Sequence, residues 1–305
     1  MTPTLFTAPA AGSFDGGAVL SPRLYLRLLT TLSAIVVFTP SLAAAPAGWA
    51  PNLTATATWD DNVTNANHST DIIGALAFAA NFAAAQRISL DHDDSLVLTA
   101  HVSGESFPEF TALDRASVGA QTAWRHKFGI GAQAPIFSVE FSGDASTARE
   151  TDRSGLGAGV AFAWRQRFGE STLVALSQDF SRFDARGAVF DRSASETALV
   201  VTQTLADRWS FSATVRFRQG DVLSYATPPR PDLVALARIR SPVNTFGRPM
   251  VAYSLDAHTL GGALALTRTL DDRTSLALAA EYRATGHAAL RYVNRLVSVA
   301  LSRQL

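Results

Sequence analysis

From Asn52 to the C-terminus the chain alternates apolar and polar residues with a period of two, in blocks too long for an ordinary soluble sheet. In LTATATW, Leu53, Ala55, Ala57 and Trp59 share one parity, and Thr54, Thr56 and Thr58 the other. Trp209, Phe211, Ala213, Val215 and Phe217 alternate with Ser210, Ser212, Thr214, Arg216 and Arg218, and Leu276, Leu278, Ala280 and Tyr282 with Ser275, Ala277, Ala279, Glu281 and Arg283. Successive side chains of a strand point to opposite faces, so each block predicts a strand with one apolar face. Twelve blocks are read this way, at 52–61, 72–87, 95–104, 115–128, 135–143, 155–168, 171–182, 195–205, 208–218, 258–270, 274–284 and 291–303. Most run to about 10–13 residues, near what a tilted strand needs to cross a bilayer, against about 5–6 in soluble proteins.

The connections follow a rhythm of their own. Those near 88–94, 129–134, 169–170, 206–207 and 271–273 are short, and those at 62–71, 105–114, 144–154, 183–194 and 219–257 are longer. A related motif recurs at the short ones: AWRHKFG at 123–129 matches AWRQRFG at 163–169, and TLADRWS at 204–210 matches TLDDRTS at 269–275. Repeated hairpins with short turns at one end and long loops at the other predict an all-β, antiparallel, up-and-down transmembrane barrel of about twelve strands. An even strand number puts both chain ends on the short-turn, periplasmic side.

Composition excludes several other classes. Lys+Arg and Asp+Glu balance at 26 each, so the basic excess of a nucleic-acid binder is missing. The chain has no cysteine, which removes disulfides, thiolate metal sites and a cysteine nucleophile. One apolar run of bilayer length occurs, LYLRLLTTLSAIVVFT at 24–39, preceded by Arg23 and followed by Pro40 and the small residues Ser41 to Ala45. That is the layout of an export signal, with cleavage expected after Ala43. The chain therefore divides into a signal, 1–43, and a barrel domain, 44–305.

Turning the apolar parity toward lipid fixes the other face. Trp124, Phe128, Trp164, Phe168 and Trp209 then lie outward at the short-turn end, and Trp59, Phe141, Phe180, Phe217 and Tyr282 outward toward the long loops. Two aromatic bands separated by Val, Leu and Ala match the girdles of a membrane barrel. The opposite parity lines the interior and carries Arg125, Glu140, Arg165, Glu196, Arg216, Arg218, Glu281 and Arg283 among other charges. A dry core would not tolerate them, whereas a water-containing lumen would. These eight are the pore-lining candidates, either pairing across a narrow lumen or giving it a mild anion preference.

The last block, in which Val293, Val297, Val299, Leu301 and Leu305 alternate with polar residues, resembles the final strand of bacterial outer-membrane barrels, which the barrel assembly machinery reads. That strand usually ends in an aromatic. Here Leu305 closes it, and Arg295 and Arg303 interrupt its apolar face. ATWDDNVTNA at 57–66 resembles the first strand and loop of a family of β-barrel porins, some linked to exopolysaccharide export. The resemblance implies an outer-membrane location, with lipid, lipopolysaccharide and small hydrophilic solutes as partners.

No catalytic constellation stands out. His68 and Ser69 are adjacent, but neighbouring strand positions face opposite ways, and here both fall in a loop. Asp60, Asp61 and His68 at a barrel rim are read as solvated loop residues, and Asp91, His92, Asp93 and Asp94 as a turn rather than a calcium loop. The expectation is a porin-like channel, not an enzyme, with no cofactor and no metal. A non-conducting barrel accessory to polysaccharide export and a barrel enzyme acting on lipid or peptide are the alternatives. Segment 219–257, with five prolines around LVALARI, is expected either to fold inward as a lid or to form a surface loop.

Overall fold

Alternation becomes strand at all twelve positions. The computed structural model describes residues 48–288 and 290–305, so the export signal read at 1–43 lies outside the described residues. The strands are β1 (Trp49–Asp60), β2 (Ala75–Ser89), β3 (Asp94–Ser106), β4 (Arg115–Lys127), β5 (Ile136–Ala148), β6 (Gly155–Phe168), β7 (Thr172–Ala185), β8 (Arg192–Ala206), β9 (Trp209–Ala226), β10 (Ile239–Val243), β11 (Met250–Thr269), β12 (Thr274–His287) and β13 (Leu290–Gln304). One short helix, α1 (Pro231–Leu236), precedes β10.

Consecutive strands pair antiparallel except at β10, which is bypassed by direct pairing of β9 with β11, and β1 pairs with β13, from Asn52 opposite Gln304 to Asp60 opposite Leu296. The sheet thus closes on itself as a twelve-stranded barrel with no free edge, the condition for carrying β structure through hydrocarbon. The thirteenth strand, β10, pairs only with the first residues of β11.

The outer surface shows the apolar parity. Leu264, Phe217, Leu278 and Val297 are about half exposed, and Phe141 is 62% exposed. Phe128 and Trp164 pack together at the short-turn end, their ring centroids 5.3 Å apart and their planes tilted by 34°. Trp209 and Phe217 are eight residues apart on β9, which is about 26 Å along a strand at 3.3 Å per residue and about 20 Å of height at a 40° tilt. That approaches the height of a barrel's apolar band. Arg295, on the apolar parity of β13, donates its backbone N–H to Asp61 Oδ1 at 2.7 Å and pairs with Oδ2 at 3.3 Å.

Two features differ from the sequence expectation. β12 and β13 stay paired up to His287 opposite Leu290, so these two strands are joined at the long-loop end without a long loop. The interruption read at 219–257 is largely strand: β9 continues to Ala226 and β11 begins at Met250. Beyond Gly220 the burial pattern loses its alternation because both faces of this extension are covered. The two-residue period vanishes there while the pairing continues.

Candidate functional site: the lumen and its mouth

Gly220 marks where the barrel wall divides. Below it, β9 pairs with β8 as far as Ala194 opposite Gly220. Above it, residues 221–226 keep β11 as a partner but leave β8. Gly220 has a φ of +138°, and a Cβ there would meet Ser193 O at 2.2 Å, so only glycine fits this departure. The vacated edge is taken by the first long loop, where the Tyr225 N–H donates to Thr64 O at 2.9 Å. Asn65 Nδ2 donates to Leu223 O and Ser224 Oγ to Asn65 O, each at 2.8 Å.

The β9–β11 extension, with β10 and α1, forms a flap across the mouth. One face packs Val222, Tyr253 and Leu255 against Leu233 of α1 and Leu290 and Tyr292 of β13. The other packs Tyr225, Met250 and Ala252 with Phe246 against Leu113, Val189 and Phe190, which lie in the β3–β4 and β7–β8 connections. The β5–β6 connection joins through Glu150, whose Oε2 accepts from Thr245 Oγ1 at 2.9 Å. Loops from opposite parts of the ring meet on one flap, so the flap spans the opening.

A charged clasp fixes it. Asp71 of the first long loop is nearly buried, with Arg230 Nη1 at 3.8 Å and Arg248 Nη2 at 3.6 Å. Arg230 also holds Asp232 through Nε and Nη2, at 2.9 and 2.7 Å, and donates to Asn67 Oδ1 at 2.6 Å. The hydrogen bonds from Arg230 bring the Asp232 carboxyl down to about 2.

Below the flap lies a cavity of about 800 Å³ against the β2–β8 wall. It is lined by hydroxyls such as Ser103, Ser117 and Ser142, by Arg115, Arg192 and Arg218, and by the carboxylates of Glu105, Asp144 and Asp179. Arg218 and Glu196, both sequence candidates, stand opposite one another on β9 and β8. On the adjoining wall Glu281 ties two further candidates together. Arg283 binds it at 2.8 and 3.0 Å, and Arg216 reaches it at 3.4 Å from two strands away. Arg216 does so by crossing β11 at Gly261, where a Cβ would meet its Cγ at 2.8 Å. Arg125, Arg165 and Glu140 lie apart, toward the short-turn end on β4, β6 and β5, with Arg125 within electrostatic reach of Arg165, Arg87 and Glu140.

The sequence reading passed over Arg153 and Arg192. Arg192 precedes the block assigned to β8 at 195, although it shares the interior parity of Glu196. Arg153 sits in a loop, where no parity exists, with its guanidinium 4.7 Å from the Phe190 ring and bonded to Tyr225 Oη.

The loop residues weighed for chemistry go separate ways. Asp60 accepts from the Asn62 N–H and from Asn294, Asp61 pairs with Arg295, and His68 and Ser69 are exposed. Asp91 Oδ1 accepts the N–H groups of Asp93 and Asp94 at 2.9 and 2.8 Å, closing the β2–β3 turn on itself.

No family model matches the chain, and no curated protein matches it in sequence. Solved structures do. An outer-membrane channel from Pseudomonas putida F1 superposes with a TM-score of 0.59 at 10% identity, over 88% of this chain and 100% of that one. The KdgM porin in complex with disordered oligogalacturonate gives 0.44 at 8% identity, over 83% and 99%. The translocator domain of the autotransporter NalP from Neisseria meningitidis gives 0.39 at 12%, over 93% and 95%. At these identities the shared property is the fold, and it rests on the first of the three: the chain is built like an outer-membrane β-barrel.

Proposed function

We propose that the chain is an outer-membrane channel for small hydrophilic solutes, restricted at its long-loop mouth by the β9–β11 flap. The observation that carries this reading is the division of one closed sheet into an apolar outer belt and a charged, hydroxyl-rich inner wall around a cavity of about 800 Å³. Residues that face hydrocarbon outside and water inside are what a solute path through a bilayer requires. Arg125, Arg165, Arg216, Arg218, Glu140, Glu196, Glu281 and Arg283 are assigned to the pore wall, and no residue is given a catalytic role. In this reading residues 1–43 are a removed export signal, and lipid, lipopolysaccharide and the assembly machinery are the partners of the outer belt and last strand.

Single-channel recording of the refolded 44–305 segment in a planar bilayer tests the proposal, with folding verified by a boiling-dependent gel shift. Discrete conductance steps are expected. Silence from folded protein, persisting when the flap is released, overturns the channel reading. It would favour the second one, a non-conducting accessory barrel, whose supporting observation is the flap itself, buried on both faces.

A further inference from the structure

We infer that the cavity beneath the flap is an oxyanion-binding vestibule, selecting solutes that carry a carboxylate or phosphate on a small hydroxylated body. This rests on the channel reading for its purpose, but not for its test. The pivotal residue is Arg192, at the head of β8. Its guanidinium lies over the Phe183 ring, 5.1 Å from the centroid. Among the described residues no carboxylate lies within ion-pair distance of it, and the ionisable groups closest in effect are Arg115, Arg218, the Tyr225 phenol and Arg153, three of them cations like itself. Two of these are already matched, Arg115 by Glu105 at 2.8 Å and Arg153 by Glu150 at 2.9 Å. Arg218 is not: it donates to Asp221 O at 3.0 Å and has no carboxylate within 4 Å among the described residues.

Two arginines with no carboxylate within 4 Å therefore share one cavity with like-charged neighbours, while the cavity's Asp144 and Asp179, and Glu196 opposite Arg218, all stand beyond ion-pair distance of them among the described residues. Such an arrangement costs folding free energy and is relieved by an anion. Each guanidinium presents a planar fork of donors that fits the two oxygens of a carboxylate or phosphate. The wall opposite carries the hydroxyls of Ser103 and Ser117, 2.7 Å apart, with Ser146 of β5 opposite Ser117 and Ser142 farther along the same strand. These suit a hydroxylated rather than an apolar body. The volume matches a solute of one or two sugar-sized units.

The experiment is calorimetric titration of the refolded barrel in detergent at low salt with glucuronate, glucose 6-phosphate and glucose. Binding is read at equilibrium and needs no conductance, so a closed channel and an absent site give different results. Glucuronate or glucose 6-phosphate is expected to bind at least ten-fold more tightly than glucose, and comparing the two shows which oxyanion the forks prefer. Arg192→Gln and Arg218→Gln should each weaken that binding about ten-fold, with Arg192→Lys intermediate. The same Arg192→Gln barrel should resist heat unfolding at least as well as the parent, because it loses like-charge repulsion. A merely structural arginine would lower that resistance instead. Equal affinity for glucose and the two anions, no binding of either anion, or undiminished binding in the folded Arg192→Gln, Arg218→Gln double variant overturns the proposal.

Discussion

The carboxylate of Asp71 accepts hydrogen bonds from both the hydroxyl and the backbone N–H of Thr227, at 2.7 and 3.2 Å. This joins the first long loop to the end of β9, 156 residues later, and Asp71 is only 4% exposed while it does so. Replacing Asp71 by Ala removes the acceptor and leaves Arg230 Nη1, which already lacks a hydrogen-bond partner, without its nearby charge. Breaking a buried pair costs about 3–5 kcal/mol, and the lower end applies because Arg230 keeps Asp232. The flap should open while the barrel stays closed. Trypsin cleavage at Arg238 and Arg240 should accelerate more than ten-fold, with the boiling-dependent gel shift unchanged, and conductance should rise.

Ion selectivity should separate two arginines that the alternation alone ranks equally. Arg216 is answered by Glu281, which Arg283 also holds, whereas Arg218 has no carboxylate within ion-pair distance among the described residues. Reversing an unmatched charge in a water-filled lumen is worth on the order of 1 kcal/mol. Arg218→Glu should therefore lower the anion-to-cation permeability ratio about five-fold. Arg216→Gln should change it less, and Glu281→Gln should raise it by freeing two guanidinium groups. Reversal potentials in a salt gradient measure all three.

The barrel was legible because lipid outside and water inside impose one rule on every strand, and Trp209 to Phe217 obeys it without exception. The flap was not. Val222, Tyr225 and Ala226 are all buried although they alternate in direction, so no period survives to be read. Its partners lie far off in sequence: Asp71 and Arg230, or Glu150 and Thr245, meet only because the ring closes. Half of the candidate site could be found from parity, as Glu281 and Arg283 show. Arg153 could not, because loops carry no parity.

Gly220 should tolerate no side chain. Alanine there must hold a φ of +138° and place its Cβ against Ser193 O. Left-handed strain alone costs about 1–3 kcal/mol, and the contact adds to it. Gly220→Ala should lower the heat-unfolding midpoint of the barrel, whereas Gly262→Ala, one of the outward β11 positions, should leave it nearly unchanged. A Cβ at Gly262 meets only Thr214 O, at an ordinary 3.9 Å.

Acid should loosen the flap late. Folding lowers the Asp232 carboxyl to about 2 through the hydrogen bonds from Arg230. A depressed carboxyl contributes its stability in full above its unfolded value of about 4 and loses it as the pH falls through the folded value. The clasp should therefore be constant from pH 8 to about 5 and weaken between about 4 and 2. Amide exchange over 227–243, corrected for intrinsic rates, should show extra opening in that window, and Asp232→Asn should be open throughout without the added acid dependence.

Leu264 tests the membrane assignment itself. It pairs with Ala213 on β9, midway between the levels of Trp209 and Phe217, and is 56% exposed. In a water-soluble barrel an arginine at so exposed a position would cost almost nothing. At the middle of a lipid-facing belt it costs about 2–4 kcal/mol. Urea titration of barrels folded into lipid vesicles should show that loss for Leu264→Arg. Ala263→Arg, one residue along and on the lumen parity, should avoid the lipid penalty and lose only what local crowding demands. Equal and negligible losses at both positions would mean that the apolar face does not contact lipid.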